Sequence, residues 1–223
     1  MLNMLQKITY NPILITGVER SGSTLIAKIL YLCGVNSGQC NGMFENELIT
    51  EYNREFLQVY PLSFPESKEL SIPADWSSRI DKVGLKNPWM VKSATLARMW
   101  SVWDYAYPDA KWLIVRRRTG DVIQSCLKTG YMKTFKDLKN LSSLGFTYEE
   151  EGWLWWVHQY EAKFVEMIQA GLNCRIIWPE RMVTGNYQQI FETIDWLGLK
   201  WNNKIPEIID PLLNKSREEV QYV

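Results

Sequence analysis

The chain has 223 residues, 46% of them hydrophobic, enough to bury a substantial core within one domain spanning residues 1–223. Its 25 basic and 25 acidic residues cancel, which excludes the global positive field that gathers nucleic acid or anionic membrane, so any anion site must be local. No run approaches the roughly 20 apolar residues that span a bilayer, and the opening MLNMLQKITYNP has no charged region leading to a cleavage site, so a cytoplasmic protein without nucleic-acid partners or stable membrane insertion is expected.

In chain order, Ile13 to Thr16 is an apolar run bounded by polar and turn residues, the pattern of a strand buried on both faces. Leu25, Ile26, Ile29, Leu30 and Cys33 then form one helical stripe that Gly34 terminates. The pattern predicts a helix over Asn46 to Tyr60, a surface excursion from Pro61 to Ser78, a weak strand over Lys82 to Leu85 and a helix over Val91 to Tyr105. A strand follows at Trp112 to Val115, a helix at Asp121 to Thr129 and a second excursion at Lys133 to Phe146. The last elements are a long helix over Glu149 to Ala170, a strand at Arg175 to Trp178 and a helix at Tyr187 to Leu197. Strand and helix in alternation imply right-handed βαβ units. The expected class is therefore α/β, a three-layer P-loop-like fold whose central, mostly parallel sheet is flanked by helices and binds ligands beyond the carboxyl ends of its strands.

The chain holds 11 tryptophans, and Trp153, Trp156, Tyr160 and Phe164 step by three and four along one helix face, which reads as core. Cys33, Cys40, Cys126 and Cys174 form no C-x-x-C pair and do not cluster with the only histidine, His158. Neither a metal site nor a disulfide framework is expected from them.

Four stretches carry candidate chemistry. GVERSGSTL, Gly17 to Leu25, has the G-x-x-x-x-G frame of a phosphate-binding loop between a strand and a helix, but Ser23 and Thr24 stand where nucleotide hydrolases carry lysine and a hydroxyl. Backbone N–H groups of Arg20 to Thr24, the helix dipole and the hydroxyls of Ser21, Ser23 and Thr24 can converge on an anion, while Gly17 and Gly22 permit the tight turn. In KWLIVRRRTGDVIQS, three arginines crowd the end of a buried strand; Arg117 can fork onto a phosphate, and Ser125 can complete the same site. That strand ends in arginines where a triphosphatase places its magnesium aspartate, so the ligand is expected to be an anion held without a metal. In VGLKNPWM, Lys86 can face charge developing in a reaction or lie at the surface. In GMFENELITEYNREFL, Glu45 at a helix start is either a dipole-favoured acid or a base.

Together these stretches resemble the sulfotransferases that use 3′-phosphoadenosine 5′-phosphosulfate (PAPS), over roughly Pro12 to Trp201. RSGSTL resembles the family's 5′-phosphosulfate loop, with Arg20 in place of the lysine of ATP-type loops. RRRTGDVIQS resembles the 3′-phosphate motif through Arg117 and Ser125, MFENELITEYNREFL the acidic segment after the first helix, and GLKNP the K-D-P element with Asn87 replacing aspartate. WPERMVTGNYQQIFETIDWLGLKW is similar to the closing strand, acidic turn and helix. The chain departs from cytosolic animal members in lacking a histidine after the K-x element and an R-K-G loop. The resemblance implies sulfuryl transfer from PAPS to a hydroxyl or amine of a small-molecule, glycan or lipid acceptor. It implies phosphate contacts from Arg20, Ser21, Gly22, Ser23, Thr24, Arg117 and Ser125, with Arg20, Lys86 and Glu45 catalytic, and Glu47 and His158 as rival bases. A kinase with an atypical loop and a non-catalytic nucleotide-binding protein are the alternatives.

Overall fold

A computed structural model describes residues 11–130 and 132–209. Four strands, β1 (Ile13–Gly17), β2 (Met90–Lys92), β3 (Lys111–Val115) and β4 (Cys174–Ile177), form one sheet in the order β2-β1-β3-β4. Every pairing is parallel. The class is α/β, with helices covering both faces.

Alternation along the strands divides the core in two. Leu14, Val91, Trp112 and Ile114 face one layer, built from the 3₁₀ segment Ala94–Met99, α4 (Trp100–Ala106), α5 (Thr119–Lys128) and α7 (Glu149–Gln169). Ile13, Ile15, Met90, Leu113 and Val115 face the other, where α1 (Ser23–Leu32), α9 (Gln188–Trp196) and α10 (Ile205–Ile208) pack. The remaining helices are α2 (Glu47–Leu57), α3 (Trp76–Asp81), α6 (Leu138–Ser143) and α8 (Pro179–Val183). Trp153, Trp156, Tyr160 and Phe164 are all buried on the inward face of α7, as their spacing predicts.

Three expectations need correcting. Lys82 to Leu85 is not a strand: it is the C-terminal cap and turn of α3, with Gly84 at φ 69°. The fourth strand lies further on, at Met90–Lys92, inside the stretch read as the start of a helix. Apolar residues from Leu96 to Trp103 carry a helical period, and that period hid the three-residue strand before it. The two surface excursions are also partly packed, because Trp76 and Phe135 anchor them with side chains 1% and 0% exposed. The four cysteines are free thiols, and among the described residues no helix is long and apolar enough to cross a membrane.

Candidate anion-binding site

The loop between β1 and α1 lies at the carboxyl edge of the sheet, its strand paired on one side with β2 and on the other with β3. Gly17 is required by contact rather than by φ: a Cβ there would sit 2.4 Å from the Val115 carbonyl oxygen and 2.5 Å from Ser21 Oγ. The Ser21 amide donates to the Val18 carbonyl over 3.0 Å and closes a four-residue turn. Arg20, at that turn's third position, is left-handed with φ 69°. Gly22, also left-handed at φ 95°, is the N-cap of α1 and offers no side chain to it. Helix geometry then leaves the amides of Ser23 and Thr24 without intrahelical acceptors, and neither hydroxyl bonds within the described residues.

Ser21 departs from its expected role. Its hydroxyl is buried beneath the loop against Gly17 and has no hydrogen-bond partner among the described residues, so Ser23 and Thr24 are the hydroxyls that open toward solvent.

The arginine run resolves into three different environments. Arg116 pairs with Glu161 through two contacts, 3.0 Å and 2.5 Å, and lies over the Trp178 ring. Arg117 turns to the loop and donates from Nη1 to the Arg20 carbonyl over 3.3 Å, with Glu180 4.0 Å from its Nε. Arg118 is exposed and 3.6 Å from Glu180. Arg20 itself donates from Nε to Ser125 Oγ on α5 over 2.9 Å. The structure thus brings Arg20, Arg117 and Ser125 together. Beside them, a cleft of about 350 Å³ is lined by Arg118, Trp178, Glu180, Arg181 and Thr184.

Glu45 stands before α2 rather than in its first turn, because Asn46 is the cap and accepts from the Ile49 amide. Its Oε1 accepts from Lys92 Nζ over 2.7 Å, at the carboxyl end of β2. The Lys92 side chain is 6% exposed and that of Glu45 22%. Lys92 is level with Ile15 of β1, and the Ser93 amide donates to the Ile15 carbonyl, so β2 ends beside the strand that leads into the loop. Sequence reasoning missed Lys92 in favour of Lys86. Lys86 is exposed in the turn before β2 and makes no ion pair among the described residues. The available signal was MVKS, a short apolar run ending in lysine just before the serine that caps the next turn. Glu47 is exposed and accepts from Gln39 Nε2, and His158 lies on the exposed face of α7.

One acid of the loop also escaped notice. Glu19 turns its carboxyl inward, where Oε2 accepts from Trp156 Nε1 over 2.8 Å and Oε1 from the Tyr160 hydroxyl over 3.4 Å. Burial pushes this carboxyl above the usual carboxylate range, with the Trp156 hydrogen bond opposing the shift. Burial also pushes the Tyr160 hydroxyl well up and the Cys126 thiol up to about 12.

No protein-family description and no curated protein matches the chain. Among solved structures, it is similar to a sulfotransferase of Mycobacterium tuberculosis, with a TM-score of 0.45 and 11% identity over 90% of this chain and 70% of that one.

Proposed function

We propose that the chain is a PAPS-dependent sulfotransferase that moves the sulfuryl group to a hydroxyl or amine and releases adenosine 3′,5′-bisphosphate. The observation that carries the reading is the meeting of Arg20, Arg117 and Ser125 at an uncapped helix start, a cationic phosphate site built without the ATP-type lysine. The amides and hydroxyls of Ser23 and Thr24 bind the 5′-phosphosulfate, and Arg117 with Ser125 binds the 3′-phosphate. The cleft beside Glu180 takes the nucleoside.

In the transfer step the acceptor oxygen or nitrogen forms a bond to sulfur while the bond from sulfur to the bridging phosphate oxygen breaks. Charge grows on that leaving oxygen, where Arg20 and the loop amides stabilise it. The acceptor's proton goes to Glu45, through the Oε2 that Lys92 leaves open. Lys92 holds that carboxylate in place and adds positive charge at the loop's other edge. Lys86 is exposed and makes no ion pair among the described residues, so the catalytic lysine of this reading is Lys92. On this proposal the chain is one catalytic domain of the cytoplasm that uses no metal and acts on a small-molecule, glycan or lipid acceptor.

The test is calorimetric binding of adenosine 3′,5′-bisphosphate against ADP, followed by transfer of labelled sulfate from PAPS to a panel of alcohols, sugars and amines. Preference for the bisphosphate and label transfer are expected. Equal binding of the two nucleotides sinks the 3′-phosphate assignment, and stronger thermal protection by ATP with magnesium points to a kinase instead.

A further inference from the structure

An acid inside an anion-binding loop repels the ligand the loop is built for, so Glu19 needs a reason to be there. We infer that Glu19 is the positioning residue of the loop: its carboxylate, docked on Trp156 and Tyr160 of α7, holds the left-handed turn that aims Arg20 at Ser125.

The turn runs from Val18 to Ser21, closed by the Ser21 amide on the Val18 carbonyl. A turn with positive φ at its third position ordinarily takes glycine or asparagine there. Arginine is strained in that conformation, and it is retained because Arg20 must supply charge. Glu19 is the second residue of the turn, so fixing its side chain fixes the peptide that enters Arg20. The hydrogen bonds from Trp156 and Tyr160 fix that side chain against α7.

The anchor is itself immobile. The Trp156 ring packs edge-on against Phe64 at 4.9 Å and Tyr160 at 5.7 Å, and the Arg98 guanidinium lies 5.4 Å from its centroid. The charged or titratable groups that face Glu19 are Arg98 from the 3₁₀ segment, Tyr160 from α7 and Cys126 from α5, with Arg20 adjoining. The aromatic stripe of α7 therefore has two uses: one side of it is core, and its polar edges hold the loop.

The inference leans on the sulfotransferase reading only for the purpose of Arg20, so its experiment is run without nucleotide. Hydrogen exchange of the Ser21 and Leu25 amides is compared in wild type, Glu19→Ala and Glu19→Gln, with the core strands as internal reference. Glutamine restores both contacts, accepting from Trp156 and donating to the Tyr160 oxygen. The expected result is loop exchange about tenfold faster in the alanine variant, core strands unchanged, and near-wild-type exchange in the glutamine variant. Unchanged loop exchange, acceleration spread evenly over the chain, or equal impairment of the two variants overturns the inference. Should Glu19→Ala fail to fold, Tyr160→Phe is read the same way, since it removes one donor and little volume. A wild-type chain that ignores adenosine 3′,5′-bisphosphate yet gives the expected exchange pattern sinks the function and leaves the role of Glu19 standing.

Discussion

Arg20 Nε donates to Ser125 Oγ over 2.9 Å, tying the loop after β1 to α5 across 105 residues of chain. With Arg117 on the carbonyl of the same arginine, the contact joins the segments that follow β1 and β3. Charge-assisted contacts to phosphate are strong, so Arg117→Ala should weaken adenosine 3′,5′-bisphosphate binding about 10- to 100-fold while leaving ADP binding within about threefold. Arg116→Ala is the control. Its guanidinium is committed to Glu161 and Trp178, so titration should find the nucleotide affinity unchanged.

The Lys92–Glu45 pair predicts an asymmetry. Removing Glu45 leaves a buried ammonium without its partner, whereas removing Lys92 leaves a carboxylate that water still reaches. Urea unfolding should find Glu45→Ala destabilised by about 3 kcal/mol and Lys92→Met by about 1 kcal/mol. The reverse order would show that the lysine is not the desolvated member. Under the proposed mechanism, Glu45→Gln should lower kcat about 100-fold or more with a small change in KM for PAPS.

Glu19 gives a pH signature of determined sign. Its carboxyl is raised above the ordinary 4.5 by burial, so the folded chain binds more protons than the unfolded one between the two values. The stability this group brings is present below the unfolded value and is lost as pH rises through the folded value. Glu19→Gln carries no such penalty. Its melting temperature should match wild type below the unfolded value of 4.5 and exceed it increasingly as pH rises above that value. A gap that does not change with pH contradicts the buried-charge account.

Gly17→Ala tests the close approach of β1 to β3. The new methyl meets a backbone carbonyl, which cannot swing aside, as well as Ser21 Oγ. A loss of about 1–3 kcal/mol is expected from denaturant melts, together with loss of bisphosphate binding as the loop shifts.

Local pattern determined much of this protein. Short apolar runs marked β1, β3 and β4, the stepping aromatics marked α7, and the glycine frame placed a loop between strand and helix. These are legible because one-sided burial imposes a period, and a tight turn demands glycine, within a few residues of sequence. The order of Arg117 and Ser125 likewise put one in the turn after a strand and the other on the helix that follows, since consecutive elements meet at one edge of the sheet.

The tertiary structure alone decided the partners. Nothing near Lys92 in sequence announces Glu45, 47 residues away, and nothing in GVERSGSTL announces Trp156, 137 residues from Glu19. The three adjacent arginines read alike until Glu161, Arg20 and Glu180 gave each a different neighbour. Side chains take these roles through desolvation and contact after the sheet has formed, and such contacts leave no periodic trace. The sequence by itself determined that a glycine-framed loop stands at the sheet edge, and only the fold decided that Glu19 docks on α7 and that Lys92 faces Glu45.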